Sequence, residues 1–577
     1  MRFLPVGTHA MLVELAGLDE TLALFDAMQA DPVAGVIELV PAARTLLVRF
    51  QPWVCRAAQV AAAIRLRQGR PARERQGDLV QIPVRYDGED LAEMAAYLGL
   101  SIPALVQRHA AAIWTVAFVG FAPGFAYLSG NDPLFNVPRR ASPRTRIPAG
   151  AVGLAGQFSA VYPRATPGGW QLIGRTDLPM WDLAQTPPAR LQPGQRVQFV
   201  DVATEAGQQL QQQCQATTVA WTADVAAAKL PIRGEALQAG HATRLPDAVT
   251  GKDVCQVVAT GLQALWQDGG RPGLASQGVS ASGALDRGAF HLANRLVGNG
   301  PDAAVIELLG GGFSIQLREH AVVAVTGAAG ALNLQDRTGR PIPASRYRAL
   351  MLEPGDCLTV ANPSQGLRSY LAMRGGFSPQ PVMGSCATDT LSGVGPDPLQ
   401  PGQILRVGRC IRGAVEMAEG EGMAALHLPS PSLAPSSNSL ASAGRSPSAL
   451  HGVVLEIMLG PRTDWIDDAS VQLLQSQCWQ VTTSSNRVGL RLQGDMPLRR
   501  AAQFLGRELP SEGTVAGSLQ VPANGQPVLF LADHPLTGGY PVVGCVAAHH
   551  LDLAAQLPPG TAVRFRVIAP FVEIVPA

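Results

Sequence analysis

Lysine is almost missing: among the 45 basic residues of this 577-residue chain only Lys229 and Lys252 are lysines, so positive charge is nearly all guanidinium. A GxxxxGK[ST] phosphate loop cannot form, because Gly251-Lys252 is followed by Asp253 and Pro246 stands where the first glycine belongs. No Met-Lys-Met biotin acceptor is present. Neither HExxH, GxSxG nor a strand-borne GxGxxG occurs, which excludes the common zinc-protease, α/β-hydrolase and dinucleotide readings. Charged residues are only 15% and net charge is +1, so nothing draws the chain to nucleic acid or an anionic membrane. Every apolar run is interrupted well before the roughly 20 residues a bilayer needs, and Met1-Arg2-Phe3 opens no signal-peptide pattern, so a cytoplasmic protein is expected. The eight cysteines are dispersed without a CxxC, which signals neither a zinc site nor a disulfide framework.

Turn formers, by contrast, are plentiful. With 61 glycines, 46 prolines and 5% aromatics, short strands and tight turns are expected, and the length suggests several domains. Residues 1–80 alternate: a strand near Ala10–Leu15, a helix from Leu18 to Met28, strands at Val36–Leu39 and Thr45–Phe50, and a helix over Arg56–Arg67, predicting a small α+β layer. A second unit, 81–205, starts with strand Leu79–Val84 and helices over Asp90–Tyr97 and from Pro103, then turns mainly β. Residues 206–252 read as a connector, 253–427 and 449–577 as two further β units, and the Ser/Pro-rich stretch 428–448 as a flexible linker.

Turn phrases recur. Leu191-Gln-Pro-Gly194, Leu399-Gln-Pro-Gly402 and Leu557-Pro-Pro-Gly560 each precede a strand, as does Glu353-Pro-Gly-Asp356. Thr166-Pro-Gly-Gly-Trp170 is echoed by Leu536-Thr-Gly-Gly-Tyr540, each leading into an apolar strand that reaches Gly174 or Gly544. Duplicated β-barrel-like domains follow from these echoes.

Candidate site residues cluster in the glycine-rich stretches. Around Gly168 and Gly169, bare backbone can present N–H groups to a carboxylate or phosphate, with Arg144, Arg146 and Arg175 adding bidentate contacts; tight barrel turns with surface arginines account for the same pattern. Tyr127, Gln157, Tyr162 and Trp170 can shape a polar-lipped pocket or simply pack against bare backbone. In the second half, Gln267, Asp268 and Arg271 sit in a glycine turn where Asp268 and Arg271 can pair with each other. Asp286 and Glu307 are acid/base candidates provided a pocket buries them. Asn294 and Asn299 bracket a helix end. Arg487, Gln520 and the run Asp533-His534 to Thr537-Gly538-Gly539-Tyr540 complete the set. Asp533 and His534, being adjacent, would point opposite ways on a strand.

GFAPGFAYL, PRxxxPAGAVGLAG and PGGWQLIGRT in this chain resemble the B component of bacterial 5-oxoprolinase. WQDGGRPG, GALDRGAFHLANRLVGN, YLAMRGGF and SLQVPANGQPVLFLADHPLTGGYP resemble its C component. These families are also known as the two allophanate hydrolase subunit families, as a sporulation-kinase inhibitor and antagonist, and as the carboxyltransferase region of urea carboxylase. The resemblance spans about 1–205 and 253–577 and identifies a B–C fusion. It implies a ferredoxin-like N-terminal domain followed by three cyclophilin-like barrels. It also implies ATP- and Mg²⁺-dependent opening of 5-oxo-L-proline to L-glutamate with a separate A-type subunit as partner. A carboxyltransferase or amidolyase component and a histidine-kinase regulator are the other activities it admits. Where the C-type family has Asp-x-Gln-Thr, this chain has Asp533-His534-Pro535-Leu536-Thr537, and its B-type half has the shortened Tyr86-Asp-Gly-Glu-Asp-Leu91. Gly168-Gly169-Trp170 with Arg175 and Gly538-Gly539-Tyr540 with Asp533 are expected to form anion and lactam contacts at a shared B–C interface.

Overall fold

The computed structural model describes residues 1–69, 77–140, 144–215, 251–416 and 452–577. Most of the connector expected at 206–252 and all of the linker expected at 428–448 lie outside them. The fold is mainly β, with few helices and with barrel-like sheets.

The N-terminal strands are apolar on both faces because both faces are covered. Arg2–Val6, Ala10–Glu14, Thr45–Phe50 and Val36–Pro41 form, in that order, an antiparallel sheet. Successive side chains alternate between faces. Phe3, Met11, Val13, Leu46 and Val48 pack under the helices Leu18–Ala30 and Ala57–Arg65, whereas Leu4, Leu12 and Leu47 turn the other way onto Ala275 and Leu536 of the second half. The spatial order is a ferredoxin-like one with its outer strand supplied by the chain's own start. The sequence reading missed that strand, Arg2–Val6, because a single short apolar stretch gives no helix–strand rhythm.

Strand Leu79–Val84 and the helices Leu91–Tyr97 and Ile102–Ala111 follow as read, and Ser101 caps the last by accepting from Ala104 N–H. They lead into a seven-stranded sheet running from Gln171–Arg175 to Leu79–Val84. Residues 252–407 build a six-stranded and a five-stranded sheet around one core, and 453–569 build a seven-stranded barrel closed by hydrogen bonds.

The turn echoes are structural equivalents. In both QPGQ turns the glycine has positive φ, +91° at Gly194 and +85° at Gly402, and a glutamine closes the turn by accepting from the backbone N–H three residues earlier, Gln195 from Gln192 and Gln403 from Gln400. The strand after Gly194 pairs in parallel with Leu79–Val84, and the strand after Gly560 pairs in parallel with Val453–Leu459. A second correspondence is invisible to motif reading. Trp114 and Trp479, both fully buried, each donate an indole N–H to the carbonyl five residues back, at His109 and Leu474, locking strand to preceding helix in the two units.

Candidate functional site

Of the glycines at 120, 124 and 130, Gly120 lies against the second half, whereas Gly124 and Gly130 fit against Met180, Trp181 and Trp114 of the first. A Cβ on Gly120 would lie 2.9 Å from the Thr537 side chain, and one on Gly278, already at φ +77°, would lie 2.4 Å from the Ala122 carbonyl. Gly124 N–H donates to Gln277 O at 3.3 Å, and Ala43 N–H to Ser511 O at 3.2 Å. Tyr127 and Thr537 hydroxyls meet at 3.3 Å across the seam. Arg139 spans it too, donating to Leu509 O at 3.4 Å and to Ser511 Oγ at 3.0 Å, while its backbone N–H reaches Glu508. Arg462 of the second half ties Glu14 of the first to Glu512.

This seam forms an open cleft of about 990 Å³ lined by both halves, with Tyr127, Phe158 and Trp170 as an aromatic wall, Gln157 and Arg44 on the first half, and Glu508–Ser511 on the second. Tyr127, Gln157 and Trp170 are thus brought together as the sequence suggests. Tyr162 is buried against Phe125 instead, and Gly168 pairs with Arg144 in a small ribbon beside it. The equivalent ribbon of the second half joins Glu512–Gly513 to Thr537–Gly538. Gly169 offers a carbonyl, not an N–H, to Arg140. On the other side of the seam a Cβ on Gly539 would strike the Arg139 guanidinium at 2.1 Å, and Gln520 holds the Tyr540 carbonyl at 3.1 Å.

Other expected members lie elsewhere. Arg144 is spent on Asp90, at 2.8 and 2.9 Å, and on Glu89; burial opposes ionisation of Asp90, but Arg144, Arg140 and Leu172 N–H outweigh it and hold its pKa below the usual value. Arg175 faces solvent on an outer strand, paired with Asp87 at 2.9 Å. Neither is available at the seam, because each arginine has a closer carboxylate on the loop following Val84. Arg146 is exposed on the ribbon strand Arg144–Ile147.

Asp533 belongs to a second, fully buried constellation between the two β units of the second half. Arg487, 2% exposed, bonds both Asp533 oxygens, at 2.9 and 3.0 Å, and also Glu307. Ser282 and Thr390 complete the shell of Asp533, and Tyr370 O–H, Leu285 N–H and Arg368, at 3.7 Å, that of Glu307. Burial pushes the Asp533 pKa up, but Arg487 prevails and the group is held below its usual range. His534 points away, stacked on Phe530, with burial lowering its pKa to about 4. The expected Asp268–Arg271 pair does not form directly: Asp268 accepts from Ser385, Gly270 N–H and Cys386 N–H, while Arg271 donates to Ala387 O. Gln267 donates to Thr388 O, and Asn294 and Asn299 bond each other and neighbouring carbonyls, so these three serve the fold.

Asp286 opens the helix Arg287–Leu296, accepting from Ala289 N–H at 2.8 Å, and Asp552 of the last barrel accepts from Arg287 N–H and Gly288 N–H. Asp286 lines a cavity of about 970 Å³; burial first, then the neighbouring Asp552, raises its pKa to about 6. Glu456, His549 and His550 also approach one another at the surface. Glu456 binds His549 Nε2 and Arg566, and its N–H donates to His550 Nδ1.

Residues 277–567 match the family described as carboxyltransferase domain, subdomain A and B, and residues 1–191 match carboxyltransferase domain, subdomain C and D. The chain is 34% identical over 316 residues to the C component of 5-oxoprolinase from Escherichia coli, covering 54% of this chain and 90% of that one. It is 34% identical over 213 residues to the B component of 5-oxoprolinase from Haemophilus influenzae, covering 35% and 97%. It is 30% identical over 336 residues to urea amidolyase of Lachancea kluyveri, covering 56% of this chain and 17% of that protein. Among solved structures, TTHA0988 superposes with a TM-score of 0.71 at 28% identity, covering 96% of this chain and 99% of that one.

Proposed function

The chain belongs to the carboxyltransferase-domain family, and from that premise we propose that it is the fused B and C component of an ATP-dependent 5-oxoprolinase, acting with a separate A-type subunit on 5-oxo-L-proline. The observation that carries this reading is the cavity at the seam, walled by one half similar to the B component and one similar to the C component. Two proteins that serve one reaction as separate chains have a reason to be joined when both line the site.

A lactam is a poor electrophile, and ring opening becomes accessible once its oxygen is phosphorylated and the developing charge is held by fixed donors. The chain's own contribution is to bind and orient the lactam for attack by water at the activated ring carbon, the water oxygen entering the new carboxylate as the ring C–N bond breaks and phosphate leaves. Among the described residues there is no phosphate loop, and Lys252 is paired with Glu319 at 2.8 Å. In this reading Mg²⁺-ATP acts in the assembly with the A-type subunit. A carboxyltransferase reading rests on the similarity to urea amidolyase and requires a biotinylated lysine from another chain.

The test is 5-oxo-L-proline-dependent phosphate release from Mg²⁺-ATP by the chain with the A-type subunit of the same genome. Stimulation only when all components are present is expected. Stimulation by urea plus a biotinylated carrier, with none by 5-oxo-L-proline, would replace this reading by the second.

A further inference from the structure

Resting on the reading above, we propose that Arg44 and Gln157 read the two ends of a carboxylate-bearing lactam in the seam cavity, Arg44 taking the carboxylate and Gln157 the ring amide. Several lining polar groups are already committed, and Ser129, Asn131 and Asn136, which are not, carry no charge to meet a carboxylate. Arg139 is committed to Leu509 and Ser511, Tyr127 to Thr537, and Glu508 to Arg139 N–H. Arg44 is the lining cation whose guanidinium makes no hydrogen bond among the described residues, and the Gln157 carboxamide likewise makes none.

Both side chains are exposed to the cleft and stand on turns whose backbone is pinned, which positions them for a small ligand. Gln157 lies in the tight turn joining Ala151–Ala155 to Phe158–Val161, and the turn is fixed by reciprocal bonds between Gly156 and Val137 at 2.7 and 3.0 Å. Arg44 lies in the turn before Thr45–Phe50, held by Leu15 N–H to Arg44 O at 3.0 Å and, through Ala43, by Ser511 of the other half. The lining acids Asp19 and Glu20 sit in the first turn of Leu18–Ala30, where they offset the positive end of that helix.

The side-chain chemistry suits such a ligand. A five-membered lactam holds its amide cis, so N–H and C=O share one edge, and a primary carboxamide can donate to one and accept from the other. A guanidinium presents the planar donor fork a carboxylate needs. The flat ring then lies against Tyr127 and Trp170.

The test is ligand-observed NMR titration of the full chain, with the A-type subunit present, using 5-oxo-L-proline, 2-pyrrolidinone, which lacks the carboxylate, and L-proline, which lacks the carbonyl. The native chain should prefer 5-oxo-L-proline over either analogue by about tenfold or more. Arg44→Ala should abolish the preference over 2-pyrrolidinone alone, and Gln157→Ala the preference over L-proline alone, with melting temperature unchanged in both. Equal preferences in both variants and the native chain would overturn the inference while leaving the parent reading intact. No binding of 5-oxo-L-proline to the native chain, together with no phosphate release, would overturn both.

Discussion

Arg487 is the residue on which most buried charge depends. It is a cation facing Glu307 and Asp533, all three nearly inaccessible, and desolvating such a group is tolerable only because every formal charge has a hydrogen-bonded partner. Arg487→Ala should cost about 3–5 kcal/mol, read as an early thermal transition of the second half, because buried Asp533 would lose the cation bonded to both its oxygens and Glu307 would keep only the longer pairing with Arg368 at 3.7 Å. Asp286 behaves in the opposite sense. Its folded pKa of about 6 lies above its ordinary 3.8, so folding favours the protonated form; its full contribution is present below pH 3.8 and is lost as pH rises through 6. The loss amounts to about 3 kcal/mol. Asn at 286 keeps the cap on Ala289 but cannot titrate. The stability of the native chain relative to Asp286→Asn should therefore decline between about pH 4 and pH 6 and level off above, as measured by denaturant unfolding at stepped pH. A flat difference would contradict the burial argument.

At the level of elements, glycine is used to bring backbones of different units together. Gly513 shows this most clearly, since an added Cβ would lie 2.5 Å from Leu47 Cβ, a branch root that cannot swing aside. Gly513→Ala should cost about 1–3 kcal/mol by overpacking the seam, lowering the melting temperature by about 2–8 °C. Gly413→Ala, whose Cβ would meet nothing within 4 Å, serves as the control with no expected change. The strands and helices of the first 111 residues were largely legible, because apolar period and turn residues set them locally. The purpose of the glycines was not: an anion-binding nest and a close contact between distant segments require the same residue, and only the three-dimensional partner distinguishes them. Likewise Arg144 and Arg175 read as free anion ligands until Asp90 and Asp87, distant in sequence, arrive beside them. Arg44 gave no signal at all, since it stands alone between Ala43 and Thr45 with no motif around it.

The whole molecule is one chain in which the two halves hold each other at several places. The end of the chain returns to its beginning: Ile574 N–H donates to Phe3 O at 2.9 Å, and Glu573 pairs with Arg2 at 2.7 Å. The N-terminal sheet is sandwiched between its own helices and the second half, so neither half buries its apolar surface fully without the other. Co-expressed as separate polypeptides, residues 1–215 and 251–577 should therefore remain together through affinity purification, and Arg462→Ala, which removes the cation joining Glu14 to Glu512, should weaken that association measurably. The central claim is that this joined molecule opens a lactam with an A-type partner. Its most direct measurement is glutamate formed from 5-oxo-L-proline and Mg²⁺-ATP by the purified chain plus the A-type subunit of the same genome, beside each component alone. Glutamate only from the combination is the predicted result; none, under conditions where the separately encoded 5-oxoprolinase components of Escherichia coli release it, would contradict the account.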